Sequence, residues 1–309
     1  MKTAIVSNID FQLSLLKKQI GNTPLHFFHS LSTDKVKIYG KLEWLQWSQS
    51  VKARAAFSIL EHAVQADFLG EGKRLLDATS GNTGIAYASI GAALGIPVSL
   101  CLPENASSKR KQILKALGAE LIITSPLEGT DGAQQVAKEI ALKNPELYHY
   151  ADQYSNKHNV LAHYNGTAVE ILEQTDSKFT HFIAGLGSTG TFTGVARRLK
   201  EEAPWVRLIA LQPDSPLHFL EGWKHLDTAV IPKIYDPSLA DEIFLIDSNK
   251  VIDVIKSVAR NEGLLLSPSS AASLWGAYQY SLQIDRGVVV TILADDISRY
   301  DEIYNVIVK

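Results

Sequence analysis

The chain alternates short apolar runs with helix-forming stretches, and it does so in two series. That alternation constrains the fold more than any other feature. In the first series, 36–42, 74–78, 97–102 and 119–124 read as strands, with helices at 51–65, from the turn after 78 to about 94, at 107–117 and at 131–143. In the second, helix 159–174 precedes strand 180–184, helix 192–202, strand 206–211, helices 249–262 and 269–282, and strand 287–293. Strands joined by helices of this length must lie parallel, with helices covering both sheet faces. The expectation is an α/β protein of two three-layer αβα domains with mostly parallel sheets. A smaller domain is placed at 40–149, and a larger one at 1–39 with 150–309. Residues 1–20 read as a helical arm. Residues 213–242 hold four prolines and no clear period, so they read as a long excursion at a site or interface.

Composition removes several classes of function. A net charge of −3 offers no general attraction to nucleic acid or anionic lipid. The single cysteine, Cys101, sits in an apolar run, so neither an internal disulfide nor a cysteine-based metal cluster can form. No apolar stretch reaches the ~18 residues of a membrane span. A cytoplasmic enzyme without a metal is the expectation.

Four motifs carry chemistry. Lys52, in Ser50-Val51-Lys52, lies in the first turn of a helix, with Ser50 as the expected N-cap. The positive end of a helix favours the neutral amine, the form that condenses with an aldehyde. A solvated surface lysine would have the same local sequence. Thr79-Ser80-Gly81-Asn82-Thr83-Gly84 runs from a strand into a helix. Its hydroxyls, amide and free N–H groups suit a carboxylate; an ordinary turn capped by Ser80 or Thr83 also fits. Gly185-Leu186-Gly187-Ser188-Thr189-Gly190-Thr191 likewise joins a strand to a helix. It contains the G-x-G-x-x-G spacing, so a nicotinamide dinucleotide is one occupant. The hydroxyls of Ser188, Thr189 and Thr191 favour a compact phosphate monoester instead. Ser269-Ser270 opens a later helix, as an N-cap or as the partner of a cofactor ring nitrogen. A neutral hydroxyl there would leave the ring a weaker electron sink than an aspartate would, which suits elimination. Together these motifs read as a pyridoxal-phosphate enzyme.

These elements, in this order, resemble the cysteine synthase family of fold-type II pyridoxal-phosphate enzymes, the fold of tryptophan synthase β. The resemblance covers nearly the whole chain. It includes Ile20-Gly21-Asn22-Thr23-Pro24-Leu25, Lys41-Leu42-Glu43, the four motifs above with Arg54 after the first, Pro103-Glu104-Asn105, Gln153-Tyr154-Ser155-Asn156, Glu262-Gly263 and Arg299-Tyr300. Leu211-Gln212-Pro213 and Ile231-Pro232-Lys233-Ile234-Tyr235 look closer to the cysteine synthase B branch. The resemblance implies that Lys52 carries the cofactor and shuttles the substrate Cα proton. It implies that Asn82 meets the cofactor's 3-hydroxyl oxygen, that Gly187, Ser188, Thr189, Gly190 and Thr191 bind the 5′-phosphate, and that Ser269 faces the pyridine nitrogen. Thr79, Ser80, Gly81, Thr83 and Gln153 would bind the substrate carboxylate, and Lys224 is a candidate for a substrate phosphate. The implied reaction is β-replacement on O-acetylserine or O-phosphoserine through an aminoacrylate, with sulfide giving L-cysteine. The alternatives are another donor or nucleophile, or a weakly active homologue that binds a partner. The resemblance also implies a homodimer and a smaller domain that closes on the carboxylate.

The chain departs from the family pattern near the motifs. Leu45-Gln46-Trp47-Ser48-Gln49 replaces the usual Asn-Pro-x-Gly before the Ser-Val-Lys. Ala53 replaces the aspartate after the lysine, and Ala271 the glycine after the serine pair. Ile297 replaces a glycine between Asp295 and Arg299, and the usual Gly-Ile-Gly turn of the excursion is missing. Trp44 and Trp47 could reshape a pocket or simply pack.

Overall fold

The computed structural model describes residues 2–79 and 81–308, and the side chains of all of these except 2–8 and 71. In chain order the elements are α1 (Lys2–Lys17), β1 (Leu25–Phe27), β2 (Val36–Leu42), α2 (Lys52–Gln65), β3 (Arg74–Ala78), α3 (Asn82–Leu94) and β4 (Val98–Pro103). Next come α4 (Ser108–Ala116), β5 (Glu120–Thr124), α5 (Gly129–Lys143), β6 (Tyr148–Tyr150), α6 (Lys157–Ala162) and α7 (Ala168–Gln174). The chain continues through β7 (His181–Gly185), α8 (Gly190–Glu202), β8 (Arg207–Pro213), β9 (Glu242–Ile246), α9 (Val251–Glu262), α10 (Pro268–Ser281), β10 (Gly287–Leu293) and α11 (Asp301–Ile307).

The chain divides into two compact units. The first takes the chain up to Gly21, Gln46–Ser48 and Lys52–Asn159; the second takes Asn22–Leu45, Gln49–Val51 and the chain from Val160 onward. The sheet of the first unit has the order β5-β4-β3-β6, and every pair in it is parallel. Alternation along its strands sorts side chains to two faces. Leu75, Val98, Leu100 and Leu102 pack with Ile59 and Leu60 of α2 and Ile85 and Ile90 of α3. Leu76, Ala78 and Cys101 point the other way, onto Ala133 and Ala137 of α5. The helical arm belongs to this unit because Leu13 and Leu16 of α1 join the first of these clusters.

The sheet of the second unit has the order β1-β2-β10-β7-β8-β9. The β1–β2 pair is antiparallel and the others are parallel. Ile183, Ile209, Leu211, Val289 and Leu293 pack with α9 and α10, through Val254, Ile255, Leu274 and Ala277. Phe182, Ala184, Leu208, Ala210, Val290 and Ile292 pack with α7 and α8, through Ile171, Phe192, Val195 and Leu199. Both units are thus the αβα sandwiches that the alternation predicts.

Three differences from the sequence reading are local. The helix expected over 159–174 is interrupted by a π-helical turn at His163–Thr167. The turn lies where Val160 and His163 press against Gly194 of α8; a Cβ on Gly194 would lie 2.4 Å from the Val160 carbonyl oxygen. Strands β1 and β6 have three residues each, too few to show a period. Strand β9 has exposed Ile243 and Leu245 on one side, so its pattern does not separate from the excursion before it. Among the described residues, no helix is long and apolar enough to cross a membrane.

Candidate functional site

Lys52 is the first residue of α2 and is half-buried. The expected N-cap is not made: Ser50 is fully buried, and its hydroxyl has no hydrogen-bond partner among the described residues. The backbone enters this helix through a strained turn. Ser48 and Gln49 both adopt left-handed conformations, with φ of 56° and 52°. A left-handed residue with a side chain costs about 1–2 kcal/mol, so a glycine at position 49 would hold this turn with less strain than Gln49 does. Three of the other departures, Ala53, Ala271 and Ile297, are buried, the latter two in the cluster under α9 and α10. Trp44 packs against that same cluster, and Trp47 against the α2–α3 cluster of the first unit.

In the first unit, Thr79 ends the β3 segment and its amide donates to the Cys101 carbonyl (3.0 Å). The Gly81 amide turns back to Thr79 Oγ1 (3.2 Å). Gly81 is the N-cap of α3 and Asn82 its first residue, so Thr83 is not the cap of this helix. Ser80 itself lies outside the described residues. Thr83 Oγ1 donates instead to Gln153 Oε1 (2.8 Å), and Gln153 Nε2 donates to the Ala78 carbonyl (3.2 Å). The structure thus joins Thr83 and Gln153, which lie seventy residues apart. Both are buried.

In the second unit, the β7–α8 loop carries Gly187, Ser188, Thr189, Gly190 and Thr191. Thr189 is the N-cap of α8 and is left-handed, with φ of 68°. Its hydroxyl is buried and has no hydrogen-bond partner among the described residues. A buried hydroxyl left unpaired is costly, and an anion at this helix N-terminus would satisfy it. A phosphate monoester therefore fits the residues present. Thr191 Oγ1 lies 3.2 Å from His163 Nε2, whose Nδ1 lies 2.9 Å from Thr167 Oγ1. His163 sits on the π-helical turn. Sequence reasoning missed it because one histidine inside a helical pattern carries no signal.

The excursion closes over this loop. The Lys224 amide donates to the Leu186 carbonyl (2.8 Å), so the lysine backbone lies alongside the loop. A Cβ on Gly187 would lie 1.8 Å from the Gly222 carbonyl oxygen, and one on Gly185 would lie 2.1 Å from the Trp223 ring. These glycines are required by the approach of residues 222–223.

Ser269 is not the cap of α10. Ser267 holds that position, its side chain accepting from the Ser270 amide (3.2 Å). Ser269 Oγ lies 3.4 Å from Asp295 Oδ1 and 3.2 Å from Ser267 Oγ. The other Asp295 oxygen accepts from the Tyr300 hydroxyl (2.7 Å). Ser269 is thus a buried hydroxyl backed by a carboxylate.

Residues 16–295 match the family described as pyridoxal-phosphate dependent enzyme. The chain is 41% identical to a cysteine synthase from Aquifex aeolicus over 291 residues, 92% of this chain and 89% of the other. It is 36% identical to cysteine synthase B from Escherichia coli over 289 residues, 93% and 94% of the two chains. Among solved structures, a cysteine synthase from Entamoeba histolytica superposes with a TM-score of 0.87 at 30% identity, covering 94% of this chain and 90% of that one. On the match over residues 16–295 and the identity to cysteine synthases, the chain belongs to the pyridoxal-phosphate dependent enzymes.

Proposed function

We propose that the protein catalyses β-replacement on an activated L-serine, with sulfide as the nucleophile and L-cysteine as the product. The observation that carries this reading is the presence of Lys52, Asn82, Thr83, Gln153 and Ser269 together in a chain this similar to cysteine synthases. Pyridoxal phosphate, held by Lys52, supplies an electron sink for the bond changes at the amino acid. The hydroxyl of Thr189, with Ser188, Thr191 and the loop backbone at Gly187 and Gly190, holds its phosphate. Asn82 meets the 3-hydroxyl oxygen and Ser269 the ring nitrogen.

The remaining roles belong to the substrate. Thr79, Ser80, Gly81, Thr83 and Gln153 hold the α-carboxylate. This fixes Cα and places its proton in reach of the Lys52 amine. Lys52 takes that proton, and the acetate or phosphate leaves from Cβ. Sulfide then adds at Cβ, and Lys52 returns a proton to Cα. Atoms balance as O-acetylserine plus sulfide giving cysteine plus acetate. Because Ala53, Ala271 and Ile297 are buried in cores, the departures at these positions support an unchanged reaction over a new nucleophile. We further propose a cytoplasmic homodimer, on the same family resemblance.

Purified protein loaded with cofactor, supplied with sulfide and either O-acetylserine or O-phosphoserine, tests the reading. Cysteine should form with one donor and should require Lys52. Turnover with an amine or larger thiol, and none with sulfide, would overturn it. With O-phosphoserine as donor, Lys224→Ala should raise KM more than it lowers kcat.

A further inference from the structure

Asp77 lies at the end of β3, one strand residue before the carboxylate turn, and is fully buried. Its Oδ1 accepts from the Ala78 amide (2.8 Å) and its Oδ2 from the Gln153 amide (3.3 Å). One carboxylate therefore joins two segments that are far apart in the chain. The reason lies in the ladder. The Ala151 amide still pairs with the Leu76 carbonyl (2.8 Å), and then Asp152 turns left-handed, with φ of 46°. The strand pairing ends there, and Gln153 N–H would face a buried region without a backbone acceptor. The Asp77 side chain supplies the acceptor. The Gln153 side chain is in turn fixed at both ends, by Thr83 Oγ1 and by the Ala78 carbonyl. Asn159 Nδ2 holds its own carbonyl (2.9 Å).

We propose that Asp77 is a positioning residue: its carboxylate locks Ala78 and Gln153 together and so sets the carboxylate-binding turn at 79–83. The proposal rests on the proposed reaction for its kinetic consequences and on the geometry alone for the lock. The lock is pH-sensitive. Burial pushes the Asp77 carboxyl up from 3.8 to about 7, against the pull of the Ala78 amide, the facing Tyr87 hydroxyl and the Gln153 amide, while Asp152 adds repulsion. The groups around it are Tyr87 on α3, Cys101 on β4, Tyr150 on β6, and Asp152 and Tyr154 in the turn that follows. All are neutral or negative at neutral pH. The ionised carboxylate accepts both amides fully, whereas the protonated form gives up part of one, so donor binding should strengthen as pH rises through about 7.

The test compares the holoenzyme with Asp77→Asn. Asparagine keeps the Ala78 contact through its carbonyl but presents an NH2 to the Gln153 amide. With O-acetylserine and saturating sulfide, the variant should raise the donor KM about tenfold while kcat stays within about threefold, since one hydrogen bond to a charged group is lost. The wild-type acid limb in kcat/KM near pH 7 should be missing. An unchanged KM, or a kcat loss with KM unchanged, would overturn the proposal. A second measurement needs neither substrate nor variant. Amide exchange of the wild-type protein should show Gln153 protection, relative to the Thr79 amide, rising between about pH 6 and 8. A flat ratio would sink the lock even if the reaction is as proposed. A rising ratio in a protein that does not use O-acetylserine would keep the lock and discard the reaction.

Discussion

Burying Asp77 costs the fold stability at neutral pH, and the sign of that cost can be tested. The folded carboxyl holds its proton up to about 7, whereas the unfolded chain releases it near 3.8. Below 3.8 both states are protonated and the fold has its full stability from this group. Between the two values only the folded state binds the proton, so stability falls as pH rises. At 1.36 kcal/mol per pH unit the gap amounts to about 4 kcal/mol by pH 7. Asp77→Asn should remove this slope, read as the difference in urea midpoint between variant and wild type from about pH 5 to 8. Parallel slopes would show that the carboxyl is not buried as described. Asp77 was not legible in the sequence, because a lone acid in a strand also fits a solvated edge. Lys41 was equally opaque: it reads as part of strand 36–42, yet it is fully buried and pairs with Glu170 (2.7 Å). The chemistry-bearing residues were easier. Lys52, Thr83 and Gln153 stood out through their motifs, although only the structure ties the last two to each other.

At the scale of elements, the β7–α8 loop depends on the excursion that covers it. Gly185 faces a side chain and Gly187 faces a backbone carbonyl, so the two glycines should respond differently to the same methyl. Gly185→Ala meets the Trp223 ring, which can be removed. Gly187→Ala meets the Gly222 oxygen, which cannot. Both variants should lose cofactor content, measured as bound pyridoxal phosphate per chain, and should be destabilised by about 1–3 kcal/mol. Adding Trp223→Ala should restore Gly185→Ala and leave Gly187→Ala defective. Rescue of both, or of neither, would contradict the packing described. The G-x-G-x-x-G spacing was legible, but the reason for its first two glycines was not. That reason lies in residues 222–223, inside a stretch whose prolines hide any period. Strand and helix positions were legible wherever period and length agreed, as in β2, β3 and α9. The π-helical turn at His163–Thr167 was not, because it is a tertiary response to contact with Gly194.

For the molecule as a whole, the alternation of strands and helices determines two αβα units, each with a sheet covered on both faces by its own clusters. Each unit presents one glycine-bearing turn after a parallel strand, which is where α/β proteins place ligands. The first unit carries the turn suited to a carboxylate, and the second the turn whose buried Thr189 hydroxyl has no hydrogen-bond partner among the described residues. The proposed function makes Lys52, which opens a helix, the covalent partner of the cofactor. The most direct measurement is the absorbance spectrum of the purified protein reconstituted with pyridoxal phosphate, for wild type and for Lys52→Ala. The account predicts a visible band in the wild type that survives gel filtration and is bleached by borohydride as the cofactor becomes fixed to Lys52, and no such band or fixation in the variant. A wild-type protein that takes up no chromophore, or a Lys52→Ala protein that keeps the same band and is likewise fixed by borohydride, would contradict it.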